Sequence, residues 1–173
     1  PLDVLHQPGE GDGRVVDLGR VGIPTAAADM RLLEGIVAAG FVPVIACIGT
    51  GADGRLFNVN ADTFAGHLAA RLGARRLIVA GTTPGVLNAH GATAAALDGS
   101  AVASLVADGT ATAGMIAKLR ACEYALASGV EDVGIVDGRD RAAPEVAARG
   151  ELVQNAQRIV AGTAVLSGPQ SQG

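Results

Sequence analysis

The stretch Ile48–Thr63, IGTGADGRLFNVNADT, decides how this chain is read. Gly49, Gly51 and Gly54 form a G-x-G-x-x-G match, directly after the apolar run Phe41–Ile48 (FVPVIACI), which reads as a buried strand. Strand plus glycine motif is the dinucleotide fingerprint, in which a helix N-terminus meets a pyrophosphate. A helix must then begin at the motif. Here Arg55–Asn60 alternates apolar and polar residues, as a strand or hairpin arm does, and Ala52-Asp53-Gly54 is turn chemistry. No helix signal comes before Ala61. The motif is therefore a glycine-rich connection and hairpin turn, and a nicotinamide cofactor is not expected.

The second half is more informative. Asn58, Asn60 and Asp62 fall within five residues where a strand gives way to a helix. Asn58 and Asn60, two apart on an extended chain, point to one side. Asn60 suits an N-cap, and Asp62 in the first helical turn favours its positive end. Capping leaves Asn58 unexplained.

Outward from this stretch, short apolar runs alternate with helical periodicity. Asp29–Ala39 reads as a helix with Met30, Leu33, Ile36 and Val37 on one face, stopped at Gly40. Ala61–Leu72 has helical spacing through Phe64, Leu68 and Leu72 and stops at Gly73. Arg76–Ala80 and Val133–Val136 read as buried strands. Asp98 can cap a helix through Val102, Leu105 and Val106, and Met115, Leu119, Cys122 and Leu126 line a longer helix ending near Gly129. From Ala142 a helix and a short strand at Thr163–Leu166 are expected. The expected fold is α/β, an open, mostly parallel sheet covered on both faces. Ligands in such sheets bind beyond the carboxyl ends of strands, here just after Ile48, Ala80 and Val136.

The 173 residues fit a single domain or a substantial portion of one, residues 1–173. A hydrophobic share of 49% with only 2% aromatics means a core of Ala, Val, Leu and Ile. A net charge of −4 with no basic block gives nucleic-acid binding little support. Cys47 and Cys122 lie in apolar surroundings, with no sign of a secreted disulfide framework, so a reducing cytoplasm is expected. Gly35–Ala52 carries no charge, but Gly40 and Pro43 interrupt it, so no membrane span is expected. Pro1–Asp17 is polar and turn-rich, unlike a signal peptide.

Lys118 is the sole lysine beside twelve arginines. A compact ammonium suits phosphate oxygens, and Arg does not replace it geometrically. It sits early in a helix, where the macrodipole disfavours a cation and a bound anion would offset the cost. Gly114 would let such a ligand approach the backbone. A solvated surface lysine is an equal alternative. The run Ala80–Leu87 (AGTTPGVL) ends the second strand with a Pro84-Gly85 turn. Its hydroxyls and amides could hold a nucleotide, and an ordinary turn serves equally well.

Together and in this order, these pieces resemble the carboxy-terminal half of the amino acid kinase family, nearest its N-acetylglutamate kinases. The match runs almost continuously over 16–139, through VDLGRVG, GFVPVIACIG, FNVNADT, TPGVLN, LVADGTATAGMIAKL and DGRD. The resemblance implies a three-layer α/β/α sandwich. It implies transfer of the γ-phosphoryl group of ATP, accompanied by Mg²⁺, to the side-chain carboxylate of N-acetyl-L-glutamate in arginine biosynthesis. Lys118 would stabilise charge on the transferred group and Asp62 would orient the catalytic lysines. Asn58 would hold the acyl amino acid and Asn60 would line its site. The nucleotide would lie against Thr82, Thr83, Pro84, Gly85, Val86 and Leu87, against Thr110, Ala111 and Thr112, and against Gly114 and Met115. No protein-held metal site is implied, and a homo-oligomer is the family expectation.

The sequence departs from the family at three points. The amino-terminal half, with its Lys- and Gly-rich phosphate loop, is absent. Thr82 stands where Asp is usual and Ala113 where Gly is common. Beyond Arg139 the match fades, although Gly162–Leu166 resembles the family's final strand. Alternative functions are a kinase of a related acylated amino acid, such as carrier-bound aminoadipate, or a non-catalytic nucleotide-binding module. Alone, the chain is expected to expose a sheet edge and an apolar face and to dissolve poorly.

Overall fold

The computed structural model describes residues 6–8, 15–17, 19–26, 28–83, 85–86, 93, 96–107, 113–151 and 156–160. The chain opens with β1 (His6–Pro8) paired antiparallel with β2 (Val15–Asp17), followed by β3 (Val21–Gly22). Helix α1 (Arg31–Ala38) is entered through Asp29, whose carboxylate accepts from the Arg31 amide at 3.0 Å. It stops at Gly40, with the Phe41 amide donating back to the Ile36 carbonyl.

The glycine-rich stretch is a hairpin. Strand β4 (Ile48–Thr50) pairs antiparallel with β5 (Leu56–Val59), Thr50 opposite Leu56 and Ile48 opposite Asn58. The Gly51 amide donates to the Arg55 carbonyl at 2.9 Å, and Gly54 turns the corner at φ +75°. Asp53 accepts from the Arg55 amide, the Asx turn its sequence calls for. β3 adds to β5 in parallel, giving the order β3-β5-β4.

One expectation fails here. The run Phe41–Ile48 is not a buried strand: 41–46 have no regular structure, and only Ile48 enters β4. Phe41, Val42 and Val44 are 69, 88 and 97% exposed. A buried strand needs neighbours for its backbone and cover for both faces. Among the described residues none forms a ladder with 41–46. Helix α1 shares the condition, with Leu32 and Val37 exposed and no residue buried.

The remaining elements supply the core. They are α2 (Ala61–Arg71), β6 (Arg76–Gly81), β7 (Ala96–Leu97), α3 (Gly99–Ala107), α4 (Ala113–Ala127), β8 (Asp132–Asp137), α5 (Ala143–Ala148) and β9 (Gln157–Ile159). Their sheet has the order β6-β8-β9-β7. Its longest pairing, β6 with β8, is parallel from Arg76↔Asp132 to Gly81↔Asp137, whereas β9 runs antiparallel to β8 and parallel to β7. Asp98 caps α3 as expected, accepting from the Ala101 amide at 2.9 Å.

Leu77 and Val79 of β6, Val133 and Ile135 of β8, and Ile159 of β9 meet Ala69 of α2, Val102 of α3, and Leu119, Cys122 and Ala125 of α4. Each fully buried Leu, Ile or Val contributes roughly 1.5–3 kcal/mol. Val136, one residue past Ile135, is buried outside this cluster, and α5 packs on β6 and β8 with Ala143 buried. Alternation along the strand therefore sets helices on both faces, the layering of an α/β/α sandwich. The sequence expectation at Thr163–Leu166 lies outside the described residues. Among those described, no helix is long and apolar enough to cross a membrane.

Candidate active site

Helices α2 and α4 lie side by side and carry the central pair of the site. Asn60 is the N-cap of α2: its side-chain oxygen accepts from the Thr63 amide at 3.0 Å. That cap fixes the first turn, and Asp62 stands in it. Its Oδ1 accepts from Lys118 Nζ of α4 at 2.7 Å, with side chains 20 and 16% exposed respectively. One turn further along, a Cβ on Gly66 would sit 2.8 Å from the Ala121 carbonyl oxygen, so the two backbones approach where no side chain intervenes. Further along again, His67 stacks on Tyr124 with ring centroids 4.2 Å apart. These contacts advance together on both helices, which therefore run in the same direction.

Lys118 also reaches the sheet. Its Cε would lie 3.7 Å from a Cβ built on Gly81, the last residue of β6. The Gly81 carbonyl accepts from the Gly138 amide at 2.8 Å, tying the turn after β6 to the turn after β8. Asp137 closes β8 and is gripped by Arg139 through Nε at 2.9 Å and Nη2 at 2.6 Å. The guanidinium's hydrogen bonds, and then the Arg139 amide, hold the Asp137 carboxyl down at about 2. Two carboxyl ends of parallel strands, a carboxylate-held ammonium and an arginine thus share one edge of the sheet. Such an edge can place a fixed positive point charge beside backbone amides.

The other residues singled out in the sequence fall as follows. Asn58 is exposed on β5, one residue from buried Val59. Thr82 is exposed, and Thr83 donates through Oγ1 to the Gly85 carbonyl at 3.2 Å. Gly85 and Val86 are buried, and the Val86 amide donates to Gln157 Oε1 at 3.1 Å. Gly114 is exposed with open space around it, while Met115 packs against the core. Pro84, Leu87, Thr110, Ala111 and Thr112 lie outside the described residues. Gln157, Gly66 and the Asp137–Arg139 pair were not among the site residues expected from the sequence. Gly66, a glycine inside a helical pattern, was a visible signal of close packing.

Cys122 faces the same helix pair and is fully buried. Burial, reinforced by the nearby Asp62 charge, pushes its thiol up to about 12, so it is an inert core residue. Among the described residues no three His, Cys, Asp or Glu side chains gather as a metal site.

Comparison with known proteins gives the family of this chain. Residues 12–137 match the model of the amino acid kinase family. An acetylglutamate kinase of Erythrobacter litoralis is 44% identical over 126 residues, covering 73% of this chain and 42% of that protein. One from Novosphingobium aromaticivorans is 46% identical over 129 residues, covering 75% and 42%. The chain thus spans under half the length of these relatives. A carbamate kinase from Giardia lamblia, solved with AMP-PNP, superposes on 91% of this chain and 52% of its own at a TM-score of 0.61 and 17% identity, a likeness of fold. By its family match, the chain belongs to the amino acid kinase family.

Proposed function

We propose that the protein containing this chain transfers the γ-phosphoryl group of ATP to the side-chain carboxylate of N-acetyl-L-glutamate, in the cytoplasm, as a step of arginine biosynthesis. The carrying observation is the Lys118–Asp62 pair, set beside Gly81 at the carboxyl end of β6. The names of the relatives support the acceptor. In the reaction a carboxylate oxygen bonds to the γ-phosphorus as the bond to the bridging oxygen breaks, leaving ADP and an acyl phosphate. Negative charge builds on the transferred group, so catalysis is largely positioning and electrostatics.

Lys118 meets that charge. Asp62 holds its ammonium in one place, so little reorganisation is needed at the moment of transfer. Asn58 binds the acyl amino acid, with Asn60 lining the same site while it caps α2. The loop from Thr82 to Leu87, with Thr110–Thr112, Gly114 and Met115, receives the nucleotide. Mg²⁺ arrives with ATP as part of the substrate, held mainly by phosphates and water.

The test is ADP release by the protein that contains this chain, dependent on both ATP and N-acetyl-L-glutamate. Lys118→Ala is expected to lower turnover by about 10²–10³-fold. Full turnover in that variant would remove Lys118 from the mechanism. Release with a different acylated amino acid, and none with acetylglutamate, would change the acceptor.

A further inference from the structure

Gln157 is the one polar or charged residue that is fully buried among those described, in a core otherwise of aliphatic residues and Cys122. A polar side chain in such surroundings is costly unless it is hydrogen-bonded. Its Oε1 accepts from the Val86 amide at 3.1 Å, seventy-one residues away in sequence. Val86 lies past the end of β6, where the parallel ladder to β8 has finished at Gly81. Its amide is buried, and among the described residues no strand pairs with it, so a side chain supplies the acceptor.

Gly85 completes the fit. Its φ of +148° is a conformation that L side chains rarely adopt. A Cβ there would also meet Gln157 Cβ at 2.6 Å and its Cδ and Oε1 at 2.8 Å. The loop lies flat on the Gln157 side chain because Gly85 has none. Thr83 Oγ1, donating to the Gly85 carbonyl, closes the same short turn from the other side.

We propose that Gln157 is a positioning residue for the nucleotide, fixing the backbone of the loop after β6 in the shape that receives ATP. This rests on the assignment of that loop to the nucleotide made above. Gln157 itself touches neither ATP nor the acceptor. It acts through Val86 and Gly85, from a strand that family resemblance did not reach.

The experiment measures ATP affinity by calorimetry on the protein that contains this chain, at a temperature well below every variant's unfolding. Gln157→Met keeps the length of the side chain and removes the acceptor, and is expected to weaken ATP binding by about tenfold. Gln157→Glu keeps an oxygen at the same reach and is expected to bind ATP more tightly than Gln157→Met. Val133→Ala in β8 loosens the same core away from the loop and is expected to leave ATP affinity unchanged.

Wild-type affinity in Gln157→Met would overturn the positioning role while the nucleotide assignment stands. An equal loss in Val133→Ala would also overturn it, by showing that general loosening suffices. Absence of ATP binding to the unsubstituted protein would instead overturn the nucleotide assignment, and the role of Gln157 with it.

Discussion

Lys118 Nζ donates to Asp62 Oδ1 at 2.7 Å, joining two helices whose partners stand 56 residues apart. The pair is mostly shielded from water, so neither charge is replaced cheaply by solvent when the other is removed. Asp62→Asn keeps the shape and removes the charge that anchors the ammonium. Under the proposed reaction, turnover of the protein that contains this chain is expected to fall by about 10²-fold, with KM for ATP changing far less. Steady-state kinetics check this, and a loss confined to KM would contradict it.

Close approach of α2 and α4 at Gly66 is what lets the pair meet. Gly66→Ala drives a Cβ to 2.8 Å from the Ala121 carbonyl oxygen, and a backbone cannot rotate away as a side chain can. Stability is expected to drop by about 1–3 kcal/mol. Urea denaturation measures the drop, and turnover should fall with it because Lys118 is carried one turn away on the same helix.

Asp132 accepts from Arg76 Nε at 2.6 Å and from Arg158 Nη2 at 2.7 Å. Burial alone would raise its carboxyl; the two arginines outweigh burial and leave it below the ordinary 3.8. A depressed carboxylate contributes stability above its unfolded value, and loses it as pH falls through the folded one. Asp132→Asn should therefore cost about 1–3 kcal/mol at pH 7. The gap between wild type and variant should close in acid below roughly pH 4. Denaturant titrations at the two pH values decide it; a gap that widens in acid would be the wrong sign.

Of the two cysteines, Cys47 is partly exposed and Cys122 is buried with its thiol pushed up to about 12. Because the thiolate is the reactive form, a disulfide reagent at pH 8 should modify Cys47 in the native protein and Cys122 only in urea. Fast modification of Cys122 in the native state would show that α4 does not pack as described.

What could be read from sequence follows how local each signal is. Asn60 as a cap, Asp98 as a cap and the Gly51–Arg55 turn were legible because each is settled by side chains a few residues apart. Arg76–Ala80 and Val133–Val136 were legible because short aliphatic runs between turns have few other uses. Phe41–Ile48 has the same composition and a different outcome: apolar residues state that burial is wanted, not what provides it. Strand β9 was missed because Gln157-Arg158-Ile159 carries no apolar run, and its place depends on Asp132 and Val86. The trace of the helix contact was visible at Gly66, since a glycine inside a helix costs about 1 kcal/mol against alanine. Ala121 as its partner could come only from the packing.

Strand β9 is three residues long, yet its first two hold opposite ends of the sheet. Gln157 takes the amide beyond β6, and Arg158 takes the carboxylate that also binds Arg76. Fraying β9 would release both contacts at once, and β9 lies between β8 and β7, so it does not open independently of the sheet. Amide protons of β6, β8 and β9 should then exchange with solvent in one cooperative opening. The turn after β6 would persist for as long as the sheet does, with the lifetime of a core element rather than of a surface loop.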